Sequence, residues 1–509
     1  MLDYRPDLDP RTPGLLTDVR DMIPTEKGYR AAYGETVNTA HTYSVAANET
    51  YPTKVFASRW LSTPGGIVIV GTNQKLNVYD FTNGFINVSK AGNYSLASGV
   101  YPYGEDARAA FDICAYGDVI IACNRATATQ SRSALDLTIA TLFADLSANA
   151  PAAATCCMAS NFVFLGNVGN WSTGPAVTGT NNMLVWSALG DHTGWVNNPT
   201  VTQCSYATFT DTPGPITAVR PLRDGVVVFK ANAMYLGRYV GAGTNSPIWD
   251  FVRISDNVGC LGPRSVANID NALVFVGIDD IYLFDGTRPQ PITRGILETI
   301  KPYLTDTGES ALFVSHNKPN ASVWFSALSG IYIWNYKFNR WGYLRTTETG
   351  TLAAVLCETN TDDFRTKTMS SVTSGYQEWT TSTNHFNLYS LYFHANEPVN
   401  RNTTRATTGR VITGAIGQAD KLQTLTRVNP LYARRPATVT NATLTVGTSI
   451  TPGNFSNLAA VTMDSSYRFD MLATAGTTSN FFRLQHDCAE DHELVELQTA
   501  PTLVSAGSR

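Results

Sequence analysis

The stretch 271-NALVFVGIDDIYLFDGTRPQPI-292 reads as two short strands with the turns that frame them. Val274, Phe275 and Val276 form the first apolar run, Asp279 and Asp280 break it, and Ile281 to Phe284 form the second. Asp285-Gly286 then supplies a turn dipeptide, because glycine tolerates the positive φ that tight turns require.

The second run returns along the chain: LNVYDF from Leu76, MYLGRY from Met234, IYLFDG from Ile281 and IYIWNY from Ile331. Each follows an apolar run and a short polar break, in GIVIVGTNQK, GVVVFKANA, ALVFVGIDD and SVWFSALSG. Tyr235, Tyr282 and Tyr332 hold the same place, 47 and then 50 residues apart. An apolar run, a break, an aromatic run and a turn specify a β-hairpin. A period in the forties with four strands per unit is the signature of β-propeller blades.

Flanking strands are legible too. Trp249 in IWDFVRIS and Trp341 in NRWGYLR follow two of the hairpins, while ITAVRPL and PRSVANI precede two. AAFDICAYGDVIIACN and TCCMASNFVFLGN repeat the strand-turn-strand shape, and MLVWSALGDHTGWVNN adds an outer pair to the latter. The units fall near 52–90, 105–145, 151–197, 213–255, 258–296 and 311–345, with a seventh in 349–397 around LAAVLCE and NLYSLYFHA. One blade cannot cover its own faces, so the units are expected to stack in a ring of six or seven.

The expected fold is all-β, in three parts. Residues 1–50, rich in Pro, Gly and Thr, read as an extended N-terminal arm that wraps other parts of the chain or other subunits; 51–397 form the β-propeller. Residues 398–509 alternate apolar and polar positions in GRVITGAI, ATVTNATLTVG, SYRFDMLAT and FFRLQHD, the pattern of a β-sandwich-like C-terminal domain. Helical periodicity is scarce; Leu135 to Leu146 fits either a helix or a strand.

Composition narrows the function. Charged residues make up 15% of the 509, and the net charge of −4 gives no global reason to bind nucleic acid in a groove. The eight cysteines form no CxxC pair and no His stands at zinc-finger spacing, so reduced thiols in a cytosol-folded chain are expected. MLDYRPDLDP has acids and prolines where a signal peptide needs bases and an apolar run. No apolar stretch approaches the roughly 20 residues of a membrane helix, and no membrane anchor is expected.

Propellers host glycosidases, so catalytic patterns need testing. SALGDHTGW (187 to 195) looks like the Asp-box turn of sialidases, but Asp191 lies four residues after Ser187 and Gly194 follows Thr193. It reads as a hairpin turn with Trp195 packed between blades. The Asp279-Asp280 pair sits on a hairpin break, where adjacent acids point apart rather than across a cleft. HDCAEDH contains His486, Asp487, Cys488, Asp491 and His492 at no defined metal spacing. There is no GxSxG and no GxxxxGK[ST]. No catalytic, cofactor-binding or metal-binding residue is assigned, no cofactor is expected, and the chain is read as a non-enzyme.

PGLLTDVRDMIPTEKGYRAAYG resembles the opening of the propeller-containing tail nozzle or tail-hub proteins of short-tailed bacteriophages. The resemblance runs through WSALGDHTGW and is most specific in 209 to 296. It includes FTDTPGPITAVRPLRDGVVVFKANAMYLGRYVG and WDFVRISDNVGCLGPRSVANIDNALVFVGIDDIYLFDGTRPQPI, and resumes near RLQHDCAEDHELVELQ. It implies a structural virion protein forming a homo-oligomeric ring, typically hexameric, in the tail. The ring would be assembled in the host cytoplasm and lie below the adaptor or head-to-tail connector. It would carry tail fibres or spikes, and genome DNA would pass non-specifically through its channel. The competing expectations are a glycan-binding or glycan-cleaving propeller for host receptor recognition, with Trp171 and Trp379 stacking on sugars, and a generic propeller scaffold for protein partners.

Overall fold

The computed structural model describes residues 3–12, 14–32, 36–37, 41–44, 54–58, 67–72, 74–80, 84–90, 94, 111–125, 127–133, 141–174, 180–241, 247–305, 313–318, 320–327, 330–345, 357–360, 388–394, 397–401, 408–417, 421–471 and 478–503. The hairpin at 271–292 forms as read, but as the middle of a four-stranded sheet. Leu273–Val276 pairs with Ile281–Phe284, placing Phe275 opposite Tyr282, while Val266–Asn268 and Gln290–Pro291 flank them. All four residues of Leu273–Val276 are buried, because neighbouring blades cover both faces of the inner strands. Gly286 takes φ +101° in the following turn.

Four further sheets repeat this plan, each a sequential antiparallel meander. Blade 1 is Lys54–Ser58, Ile67–Gly71, Leu76–Asp80 and Gly84–Asn87. Blade 2 is Asp112–Tyr116, Val119–Asn124, Thr127–Ser133 and Ala144–Asp145; blade 3 is Ala152–Ala159, Phe162–Asn170, Met183–Trp186 and Ser205–Thr208. Blade 4 is Ile216–Leu222, Gly225–Lys230, Met234–Tyr239 and Trp249–Ser255, and blade 5 contains the opening hairpin. The first strand of each blade lies against the first strand of the next. This is a β-propeller, and apolar clusters fill the spaces between blades: Phe162, Phe164 and Trp186 of blade 3 pack with Val226, Tyr235 and Trp249 of blade 4.

Among the described residues, five blades are built from one continuous stretch and stand as separate sheets, against the six or seven expected. The strand runs beyond blade 5 are recruited into composite sheets instead. Phe313–Asn317, Ser322–Ala327, Gly330–Asn335 and Arg340–Arg345 form another meander, but its last strand pairs onward with Met22–Pro24 of the arm. That sheet continues through Tyr29–Ala31, Glu493–Leu503 and Gln423–Arg434 to Phe469–Asp470, ten strands in all. Cys357–Asn360, Leu388–His394 and Glu397–Arg401 take their fourth strand from Thr36–Val37.

The arm is therefore woven into this chain's own sheets. Leu15–Arg20 pairs with Gly409–Thr413, which leads through Phe481–Cys488 to Ala442–Ser449 in an eight-stranded sheet. Leu444, Val446 and Leu484 of that sheet share one apolar cluster with Leu425, Val428 and Leu494 of the ten-stranded sheet. An unexpected helix, Leu297–Thr305, follows blade 5; Ile296 and Ile300 anchor it, and Asp7 of the arm caps it by accepting from the Glu298 amide at 2.7 Å. Within the ambiguous stretch 135–146, residues 135–140 lie outside the described residues and Ala144–Asp145 is the outer strand of blade 2.

Candidate functional site

A cluster of buried charge lies where the first strands of the blades converge. Asp112, 1% exposed, is a carboxylate inside the apolar run FDICAY at the first strand of blade 2. Its Oδ2 accepts from Arg220 Nη1 at 2.8 Å, Thr155 Oγ1 at 2.7 Å and the Cys156 amide at 3.1 Å. Its Oδ1 accepts from Arg220 Nη2, Lys54 Nζ and the Ile113 amide, each at 3.1 Å. Arg220 also donates to the Cys156 carbonyl at 3.3 Å and to the Pro263 carbonyl. Lys54 belongs to blade 1, Asp112 to blade 2, Thr155 and Cys156 to blade 3, and Arg220 to blade 4; Pro263 leads into blade 5.

Burial alone would raise the Asp112 carboxyl, but the Arg220 guanidinium and then the Lys54 ammonium outweigh it and hold the group well below the usual carboxylate range. With six donors on two oxygens, the carboxylate has no lone pair free for substrate or proton transfer. It acts as a clamp between blades. Close approach is built in next to it: a Cβ on Gly166 would meet Val219 Cγ2 at 2.6 Å, so only glycine lets blade 4 settle here. Beside the clamp, the free cysteines Cys114, Cys123 and Cys156 share one apolar cluster. Among the described residues, no group of three or more His, Cys, Asp or Glu is arranged to hold a metal ion.

The sequence candidates fall into structural roles. Asp279 accepts from Tyr282 Oη at 2.9 Å, and Asp280 accepts from the Ile281 amide at 2.6 Å and from Thr293 Oγ1. Partial burial raises the Asp280 carboxyl. In SALGDHTGW, Asp191 accepts from the Thr193 amide at 2.8 Å, and Trp195 is fully buried with its indole donating to the His192 carbonyl. Trp171 is 9% exposed and donates to the Trp195 carbonyl, so it offers no face to a sugar; Trp379 lies outside the described residues.

HDCAEDH is split by its strand. Asp487 pairs with Arg410 and Asp491 with Arg434 on the surface, while His486 and His492 turn inward, ring centroids 5.4 Å apart. His486 Nε2 meets Tyr432 Oη at 2.7 Å. Burial, then the neighbouring His492, holds His486 well below its ordinary value.

Two recesses are lined by described residues. One of 680 Å³ opens between the arm, blade 5 and the next meander, with Leu8, Leu283, Trp334, Arg294 and Asp3 among its walls. One of 330 Å³ lies at blade 1 beneath residues 41–44, lined by Tyr43, Phe85, Lys75, Asn77 and Asn87. Among the described residues, no helix is long and apolar enough to cross a membrane. The sequence signal that marks the clamp is a lone Asp in FDICAY and a lone Arg in ITAVRPL; their pairing, 108 residues apart, has no local signature.

No family model and no curated protein matches the chain. Among solved structures, it is similar to the extracellular domain of the putative one-component system BT4673 from B. thetaiotaomicron, at 8% identity and a TM-score of 0.40 over 79% of this chain and 44% of that one. It is similar to the Neurospora crassa Pan2 WD40 domain at 5% identity and a TM-score of 0.41, covering 75% of this chain and 98% of that one. It is also similar to PorZ, a surface component of the type-IX secretion system of Porphyromonas gingivalis, at 10% identity and a TM-score of 0.33, covering 77% of this chain and 44% of that one. The chain thus spans less than half of the BT4673 domain and of PorZ. At these scores the likenesses carry no argument about what the chain does.

Proposed function

We propose that this chain is a structural tail protein of a short-tailed bacteriophage, one subunit of the nozzle ring that forms the distal tail tube. The observation that carries the reading is the ten-stranded sheet running from the propeller rim through the N-terminal arm into the C-terminal strands. Continuous hydrogen bonding of that kind joins disc and C-terminal sheets into one stiff unit, as a ring subunit under mechanical load requires. The resemblance of residues 209 to 296 to tail nozzle proteins supports the same reading.

In this reading the propeller has seven positions. The five free-standing blades are followed by the meander ending at Arg345 and by the three strands that Thr36–Val37 completes; the first of these, Cys357–Asn360, lies against Lys54–Ser58 of blade 1. The protein acts by assembly rather than catalysis. It forms a homo-oligomer, a hexameric ring, between the adaptor or head-to-tail connector and the tail fibres or spikes. Genome DNA passes through without sequence-specific contact, and the protein resides in the virion tail. Heterologous contacts close into such a ring when their rotation closes.

Mass measurement in solution, alone and with a portal–adaptor complex, tests this: a ring near six subunits is expected. A monomer that never joins the complex would sink the reading. A second reading, glycan binding at a host surface, is favoured by one observation, the 330 Å³ recess with Tyr43 and Phe85 beside Lys75, Asn77 and Asn87. Hydrolysis or retention of host polysaccharide by the isolated protein would select it.

A further inference from the structure

The blades differ in how they end. The outer strands of blades 1, 2, 3 and 5 are four, two, four and two residues long, and short edges resist adding further strands. The six-residue strand Arg340–Arg345 is long, but the arm strand Met22–Pro24 covers it. Trp249–Ser255 of blade 4 is seven residues long, and among the described residues no strand pairs with its outer side.

The exposed positions of the edge strand are Asp250, Val252 and Arg253, the last paired with Asp211. Val252 is 52% exposed, Val240 56% and Tyr239 40%. Tyr239, opposite Trp249, lies on the other face of the sheet from Val252 and donates through Oη to Gln203 of blade 3 at 2.8 Å. The charges beside Val252 form an unfinished ladder. Arg238 lies directly opposite Asp250 across the last strand pair, and Leu236 opposite Val252. Side chains opposite one another share a face of the sheet, so the row reads basic, acidic, and then open; two residues along, it reads apolar, apolar, open.

We propose that the outer edge of blade 4 is a docking site for an extended strand of a partner protein, with a lysine or arginine opposite Asp250 and a β-branched or aromatic residue opposite Val252. Main-chain hydrogen bonds along the open edge supply affinity, and the two side-chain positions supply selectivity. The chain already adds strands in this way at its other long outer edge, with Met22–Pro24.

The test uses the full chain and a blocked hexapeptide that alternates threonine and valine around one central lysine. Hydrogen exchange is followed at the amides of residues 249–255. The lysine peptide is expected to slow the outward-pointing amides of this strand by up to about tenfold, the factor that one net hydrogen bond of about 1.4 kcal/mol supplies. A glutamate peptide has no such effect, and Asp250→Lys reverses the preference. Val252→Lys weakens protection without changing the charge preference. Three results would each overturn the proposal: no protection by the lysine peptide at millimolar concentration, equal protection by both peptides, or self-association of the protein alone that protects the same amides and assigns the edge to a second copy.

Discussion

Asp112 gathers donors from four blades onto one side chain, which makes the propeller's inner ring sensitive to a single charge. Asp112→Asn leaves the Arg220 guanidinium and the Lys54 ammonium in a closed space, 12% and 14% exposed, without their counter-ion. Breaking a buried pair by removing one partner costs about 3–5 kcal/mol, and a fall of that size in unfolding free energy by denaturant titration is the expected outcome. Because the folded carboxyl lies below its ordinary value, its contribution is fully present above the unfolded value of 3.8 and lost only as pH falls through the depressed one. Near neutrality the clamp is therefore insensitive to pH. His486 behaves in the opposite chemical sense. Its imidazole is enclosed by Tyr432, Phe469 and His492, while its sequence neighbours Asp487 and Asp491 pair with Arg410 and Arg434. The unfolded chain binds a proton at His486 from its ordinary value of 6.5, the folded chain only well below it, so stability is present above that pH and falls as acid is added. Melting temperature is expected to drop between about pH 7.5 and about pH 5.5, and to drop less in His486→Phe, since the variant has no proton to take up.

At the scale of elements, the blade register read from the repeat places Tyr282 between blades. It lies at 7% exposure in a cluster with Leu222, Phe229 and Met234 of blade 4, its ring stacked on Phe275 at 5.6 Å. Tyr282→Ala is expected to lower stability by about 3–5 kcal/mol, the range for aromatic truncation in a core; an unchanged melting temperature would contradict the packing. The units expected near 213–255 and 258–296 coincide with blades 4 and 5 because their inner strands, buried on both faces, are apolar without interruption. Outer strands such as Gln290–Pro291 escaped the reading, since two exposed residues cannot show alternation. The helix at Leu297–Thr305 escaped it because a proline at 302 and nine residues leave little periodicity to detect, although Ile296 and Ile300 stand one turn apart. In the candidate site, the strand that carries Asp112 is legible in AAFDICAYGDVIIACN, while the role of the acid and its partners are not. Asp279 and Asp280 could be placed on a turn from local sequence, whereas Asp112 meets Arg220 only after two blades have folded between them.

For the whole molecule, the decisive contacts join the two ends of the chain. Local periodicity reports strands, but it carries nothing about pairing between Val19 and Val411 or between Val37 and Val399, and the arm's destination follows only from the folded sheets. Asp21 fixes one of these junctions: its carboxylate accepts the Arg345 amide at 3.0 Å and Nε at 2.8 Å, just before Met22–Pro24 joins the propeller rim. Removing residues 1–44 takes away three things at once: the strand that completes the unit ending at Arg401, the bridge inside the ten-stranded sheet, and the edge of the eight-stranded sheet. The C-terminal sheets then lose Leu16, Val19, Met22 and Tyr29 from their apolar cluster. The full chain is expected to unfold with these parts coupled. The truncated chain is expected to show two separated calorimetric transitions, one for the propeller and a lower one for the C-terminal sheets, because cooperative units follow the contacts that join them. A single transition at the full-chain temperature would mean that the arm joins nothing essential, and would remove the mechanical basis for a stiff ring subunit.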